Sequence, residues 1–282
     1  MPRVLNTQCV VPVVADLIRK ACYELDDNLV DALKSAYDKE QSPYGRDTLK
    51  ILIDNAIYAK EEQLPCCHDT GTCVLWVKVG QEIVWEGEPL ADMLQKGVAK
   101  GYEEAYLRKS MVRDPIFDRS NTNDNTPAVI HYEIVPGDKV DIAVMPKGGG
   151  SENMGTFKTI MPADGPEGVK KFVLDTMKAV GGKPCPPVII GVGIGGTMDW
   201  CTWISKQALL RPIGQRHENP LYAKLEQEIL DAVNDLGIGP LGTGGSTTCL
   251  DVHMEYHPCH ITALPVAITF QCHASRHAFG TI

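Results

Sequence analysis

No apolar run in this 282-residue sequence approaches the roughly 18–20 residues that a helix needs to cross a bilayer. Helical membrane spans are thereby excluded. Positive charge is also short: 27 Lys and Arg against 36 Asp and Glu leave a formal charge of −9, without the electrostatic footprint of a nucleic-acid or anionic-membrane binder. A small anionic ligand stays compatible, because a few local Arg and Lys residues suffice to hold it. The N-terminus offers only Arg3 and an apolar stretch broken by Asn6, Thr7 and Gln8, a poor secretory signal, so the expected compartment is the cytoplasm. There is no internal repeat, low-complexity tract or clear linker. With 44% hydrophobic and 22% charged residues, disorder and collagen are excluded and a sizeable core is affordable.

Cysteine, by contrast, is plentiful: Cys9, Cys22, Cys66, Cys67, Cys73, Cys185, Cys201, Cys249, Cys259 and Cys272. In a small secreted protein ten would suggest disulfides. In a chain this long without a signal peptide, reduced thiols, some of them metal ligands, fit better. For any one cysteine the default is a small buried hydrophobe.

The first 62 residues read as helical. Val14, Ile18 and Cys22 share one face; Leu29, Leu33, Ala36 and Tyr37 make a second stripe, and Leu49, Leu52, Ile53, Ala56 and Ile57 a third. Asp26, Asp27 and Asp47 are candidate caps. Beyond them, Val74–Val79 reads as a strand and 90–107 as a helix; Val129–Val135 and Val140–Met145 alternate at period two and, joined by Pro136-Gly137-Asp138, predict a hairpin. Pro166–Val180, stopped by Gly181-Gly182, and a segment opened by Asn219-Pro220 and stopped at Gly237, carrying Leu221, Leu225, Ile229, Val233 and Leu236, complete the helices. The expected class is α+β (mixed α/β): a helical N-terminal layer packed on a mixed β-sheet with flanking helices.

The loops break ordinary patterning. Gly191, Gly193 and Gly196 match G-x-G-x-x-G after a strand, but the second strand with its acidic end, due about 20 residues on in a dinucleotide site, is replaced by the proline-containing stretch 210–219. A strand-to-helix turn whose N–H groups bind a carboxylate or order a neighbouring loop fits better than a nicotinamide or flavin site. Gly148-Gly149-Gly150 lacks phosphate-loop spacing; a flexible turn and a close backbone approach to a ligand suit it equally. Cys67 beside His68 and Asp69, Cys185 between prolines and Cys272 after an apolar strand lie at element edges, 118 and 87 residues apart. That spacing does not make a zinc knuckle. Three isolated thiolates suit a [4Fe–4S] cluster assembled from distant loops, with one iron open to substrate, against the default of buried hydrophobes.

At these residues the sequence resembles the α subunit of the two-subunit class I fumarate hydratases, of the iron–sulfur hydro-lyase (fumarase and tartrate dehydratase) family. Cys67-His-Asp-Thr-Gly-Thr72 is similar to that family's C-Q-D-T-G-T, and Asn121–Ala128, Lys147–Ser151, Pro184-Cys-Pro-Pro187, Gly195-Gly-Thr197, Arg211-Pro-Ile-Gly214 and His260–Val266 ending at Cys272-His-Ala follow in the same order. The resemblance implies a single alpha-type domain over 1–282. It implies Cys67, Cys185 and Cys272 as cluster ligands, leaving Cys66, Cys73, Cys201, Cys249 and Cys259 as buried hydrophobes. It implies Asp69 and His260 as catalytic and His68, Arg108 and Gly149 as substrate-binding, with Arg113 and Gly148 or Gly150 as alternates; His68 stands where Gln is common. The implied reaction is reversible hydration of fumarate to (S)-malate, with Arg108 and His260 spreading charge that develops beside a carboxylate. In that family the proton-transfer residue and further substrate cations belong to a β portion; with the chain stopping at Ile282, a separate β subunit is expected as partner, with a small dicarboxylate as substrate. The alternatives are an L-tartrate dehydratase α subunit and a non-catalytic cluster-binding protein.

Overall fold

The structure is a computed structural model and describes residues 2–282. In chain order its elements are β1 (Arg3–Asn6), α1 (Val10–Tyr23), α2 (Asp27–Lys39), α3 (Pro43–Glu62), β2 (Thr72–Gly80), β3 (Ile83–Glu86), α4 (Leu90–Glu104), β4 (Val129–Val135), β5 (Val140–Lys147), α5 (Gly149–Glu152), β6 (Thr156–Ile160), α6 (Gly165–Val180), β7 (Val188–Gly195), α7 (Met198–Ala208), α8 (Pro220–Asn234), β8 (Cys249–His257), β9 (Leu264–Gln271) and β10 (Ala278–Thr281). This is the mixed α and β class expected. The chain divides into two compact units, each built from separated segments: one holds the residues up to Leu25 with Ala56–Gly149 and Arg276–Ile282, the other Asp26–Asn55 with Gly150–Ser275. No helix among the described residues is long and apolar enough to cross a membrane.

In the first unit the sheet order is β10-β5-β2-β4. β2 is buried along nearly its whole length and runs antiparallel to β5 and parallel to β4. The expected β4–β5 hairpin is therefore absent. A strand apolar on both faces claims the sheet centre, and half-exposed β4 takes the edge. The link between them passes over the end of β2, where Glu82 N–H donates to the Gly137 carbonyl at 3.0 Å. Val10, Val14 and Ile18 of α1 and Met93, Leu94, Val98 and Tyr102 of α4 form the core with Leu75, Val77, Ile142 and Val144 of the sheet. Gly97 and Gly101 let the helices close up: a Cβ on Gly97 would stand 2.8 Å from Val14 Cβ. Each such buried aliphatic side chain contributes about 1.5–3 kcal/mol. Arg3–Asn6, expected as helix, is instead a strand with alternating exposure, parallel to β3.

The second unit has the order β6-β9-β7-β8, with β9 antiparallel to both neighbours and β7–β8 parallel. Val188, Ile190, Val192 and Ile194 pack with Val169, Val173 and Met177 of α6 and Ile229 and Val233 of α8. Gly191 and Gly193 lie inside β7 and turn to the opposite face, under α7, where a Cβ on either would stand 2.1 Å from the Ser205 or Cys201 carbonyl oxygen. Two of the three fingerprint glycines thus serve helix-on-strand packing and no dinucleotide turn. Asn219 caps α8 through Leu221 N–H at 3.0 Å, but Leu221 is 77% exposed and Ile57 of α3 is also exposed, so neither belongs to the stripe predicted for it. Asp47 lies within α3 and is no cap; Ser42 Oγ accepts from Gly45 N–H there. The buried Glu40 carboxylate closes a gap in this unit, accepting from the N–H groups of Ser42 (3.0 Å), Ser246 (2.8 Å) and Thr247 (2.8 Å). Burial raises its pKa, and these donors outweigh burial and bring it down to about 2.

Candidate active site

In the first unit the loop Cys67–Thr72 is held from every side by main-chain bonds. Tyr102 Oη donates to the Thr70 carbonyl at 2.8 Å, Asn125 Nδ2 to the Gly71 carbonyl at 3.1 Å, and Thr70 Oγ1 to the Arg108 carbonyl at 2.5 Å. Gly71 has φ +62°, and a Cβ there would stand 1.9 Å from the Lys147 carbonyl oxygen, so no other residue fits. The result fixes Asp69. Its Oδ1 accepts from Gly71 N–H at 3.2 Å and its Oδ2 from Gly149 N–H at 2.9 Å. A Cβ on Gly148 would stand 3.2 Å from both Asp69 Oδ2 and Arg276 Nη2, which brings the carboxylate and the guanidinium to the same side of that glycine. Cys67 and Asp69 are half-buried, and His68 and Arg108 are exposed, with Arg108 Nε donating to Ser110 Oγ at 3.2 Å. Four of the expected site residues, Asp69, Arg108, Gly149 and His68, thus share one loop cluster with Cys67. Gly148 borders it as well, whereas Gly150 falls in the second unit.

In the second unit Cys185 occupies the link between α6 and β7 with φ +58°. Its carbonyl accepts from His273 N–H at 3.2 Å, which joins it to the residue after Cys272. Cys185 is exposed and Cys272 half-buried, its Sγ 3.6 Å from the Ala274 carbonyl. Beside Cys272, Gln271 Nε2 and Ser275 Oγ are buried without a hydrogen-bond partner among the described residues, the kind of orphaned donor that marks an additional group to be bound. His260 lies on the exposed β8–β9 connection, its Nδ1 2.8 Å from Thr262 Oγ1.

The remaining cysteines differ in kind. Cys22, Cys66, Cys73, Cys201 and Cys249 are buried. Burial pushes the Cys22 thiol up to about 11 despite the opposing pull of Arg276, and the Cys201 thiol up to about 12; Cys73 and Cys249 are raised further for the same reason. Cys259, expected to be buried, is exposed: it sits in the polar β8–β9 connection with its Sγ donating to the Ala263 carbonyl at 3.2 Å. No disulfide joins any of the ten among the described residues. Nor does any group of three or more His, Cys, Asp or Glu side chains there stand ready to hold a metal ion. In donor chemistry and access, Cys67, Cys185 and Cys272 fit thiolate ligation of a cluster, whereas the buried five do not.

Sequence reasoning missed Arg276, Asn125 and Tyr102 as organisers of the first loop. Asn125 is the only one with a local signal, an Asn in a polar turn, and it adopts φ +64°. A separate charged network lies in the second unit. Arg211 donates to Glu226 Oε1 at 2.6 Å and pairs with Glu255; Asp251 accepts from Gly214 N–H at 2.6 Å and pairs with Arg216 at 2.6 Å and His253 Nε2 at 3.0 Å. It pins the Arg211–Gly214 segment to β8 and α8.

A family model described as fumarate hydratase (Fumerase) matches residues 11–281. A Methanocaldococcus jannaschii protein named "Putative L(+)-tartrate dehydratase subunit alpha" is 42% identical over 274 residues, covering 96% of each chain. Proteins named L(+)-tartrate dehydratase subunit alpha from Escherichia coli strains UTI89 and K12 are 37% and 36% identical, covering 96% of this chain and 89% of theirs.

Proposed function

The chain belongs to the fumarate hydratase (Fumerase) family, and from that premise we propose that it is the α subunit of an iron–sulfur hydro-lyase that adds water reversibly to fumarate, giving (S)-malate. The observation that carries this reading is the fixed Asp69 carboxylate, held by Gly71 and Gly149 N–H beside Cys67 on a loop tied to Arg108. Hydration of an unsaturated dicarboxylate needs somewhere to hold the hydroxyl and somewhere to spread the charge that develops beside a carboxylate. A [4Fe–4S] cluster on Cys67, Cys185 and Cys272, with three thiolates for four irons, supplies a Lewis acid for the hydroxyl.

The chain's own residues do the rest. Arg108 and the Gly149 N–H bind carboxylate, His68 adds a donor at the position next to the ligand, Asp69 moves or holds a proton, and His260 hydrogen-bonds the developing charge. Residues 1–282 act as one alpha-type catalytic domain. A separate β subunit completes the pocket, as the relatives' designation as alpha subunits supports. L(+)-tartrate is the second reading, favoured by those relatives' names; it differs from malate, the hydrated product, by one hydroxyl.

The test is anaerobic purification and reconstitution, iron and acid-labile sulfide per chain, and water addition or loss with fumarate and L(+)-tartrate after a β subunit is added. About four of each per chain with fumarate hydration is the expected result. Stoichiometric zinc, or no metal at all, overturns the hydro-lyase reading, and turnover of tartrate alone transfers it to the second substrate.

A further inference from the structure

The end of β8 and the β8–β9 connection carry two histidines three positions apart, His257 and His260, whose Nδ1 atoms face opposite partners. His257 Nδ1 lies 2.9 Å from the Pro258 carbonyl oxygen, which can only accept, so that nitrogen carries the proton. At His260 the arrangement is reversed: the Thr262 backbone N–H, which can only donate, points at Nδ1 at 3.2 Å, and Thr262 Oγ1 stands 2.8 Å from the same atom. The loop is braced for this, with Ala263 N–H bonded to the His260 carbonyl at 2.9 Å. In neutral His260 the Nδ1 lone pair is therefore engaged and the proton resides on Nε2, which has no partner among the described residues and lies on an exposed side chain.

We propose that Thr262 is a positioning residue that locks neutral His260 as the Nε2–H tautomer, so that His260 meets the substrate as a hydrogen-bond donor and does not accept its proton. This rests on the reading of His260 as a residue of the hydro-lyase site. An Nε2–H donor suits a substrate carboxylate or an oxygen gaining negative charge. It cannot take a proton at the atom it presents. The base for the reaction then lies elsewhere, in this chain or in its partner.

The experiment uses the full chain labelled with 15N-histidine. Two-bond 1H–15N correlations distinguish the tautomers, and the His260 signals are assigned by their loss in His260→Gln. The expected spectrum shows Nε2–H for His260 and Nδ1–H for His257, an internal control at the end of β8. Nδ1–H at His260, or an even mixture, overturns the proposal whatever the protein catalyses. Thr262→Val, which removes Oγ1 but keeps the backbone N–H, should admit some Nδ1–H form of His260 and lower kcat/KM of the complex with its β subunit about three- to tenfold, the worth of one hydrogen bond, and Thr262→Ser should restore both. Unchanged tautomer and kcat/KM in Thr262→Val overturn the role of the Thr262 hydroxyl. If the tautomer is as expected but His260→Gln turns over at the full rate, the tautomer stands while the site reading of His260 falls.

Discussion

Asp69 in the first unit and the Glu226–Asp251 pair in the second are both carboxylates in polar networks, but they are satisfied in different ways. Glu226 and Asp251 are buried and paired with Arg211, Arg216 and His253, with backbone N–H groups taking further lone pairs. Asp69 is half-buried, and the hydrogen bonds that orient it come from the main-chain N–H groups of Gly71 and Gly149. A carboxylate closed in by counter-charges is committed to holding chain segments together. One oriented by neutral amides on a loop that also carries a candidate ligand keeps capacity for a substrate proton or hydroxyl.

The largest effect that could break this contrast is loss of the proposed cluster ligands. Cys67→Ser, Cys185→Ser and Cys272→Ser should each bring iron from about four per chain to about none, while Cys22→Ser and Cys73→Ser, whose thiols are buried, retain it; equal iron in all five by colorimetric assay removes the distinction. Next, Asp69→Asn should lower kcat of the complex about 100- to 10,000-fold while the chemical denaturation midpoint hardly moves. Glu226→Ala should do the opposite, costing about 3–5 kcal/mol in urea unfolding because the ion pair with Arg211 is broken and the Met254 and His217 N–H groups lose their acceptor, with kcat per folded molecule nearly unchanged. If Asp69→Asn destabilises as much as Glu226→Ala, the two carboxylates are of one kind.

A smaller effect comes from Glu40. Its folded pKa of about 2 lies below the ordinary value of 4.5, so its contribution, on the order of 2 kcal/mol, is present above pH 4.5 and is lost as pH falls toward 2. Glu40→Gln should flatten the stability profile in that acid window, and an unaltered slope by circular dichroism counts against the clamp. Smallest of all, Cys259→Ser should stay within about 0.5 kcal/mol of the parent, and a larger loss in thermal unfolding means that its bond to Ala263 holds the loop.

Long periodic segments were readable because their signal is local. The α1 face of Val14, Ile18 and Cys22 and the β2 run of Val74–Val79 need no knowledge of partners. The β4–β5 hairpin misled because a short turn between two alternating strands says nothing about a third strand inserted between them. Gly191 and Gly193 were ambiguous for a related reason, resolved against a dinucleotide site only by the missing acidic strand end: a glycine that lets a helix approach a strand leaves the same letters as one that cradles a phosphate. Among the proposed site residues, Cys67, Asp69 and Gly149 stood out through their loops. Arg276 and Thr262 did not, since a buried guanidinium beside Gly148 or a threonine aimed at a ring nitrogen has meaning only once the fold supplies the neighbour.

Arg276 and β10 belong to the first unit yet follow, along the chain, the whole of residues 150–275 of the second. On a ribosome, therefore, the sheet β10-β5-β2-β4 waits for its outer strand until the other unit has emerged. Until then the edge of β5 that β10 covers from Asp141 to Val144 is open, and Gly148 lacks the guanidinium beside it. An open edge of this kind invites wrong pairings, so the nascent chain is most exposed to them in the interval between synthesis of residue 149 and of residue 281.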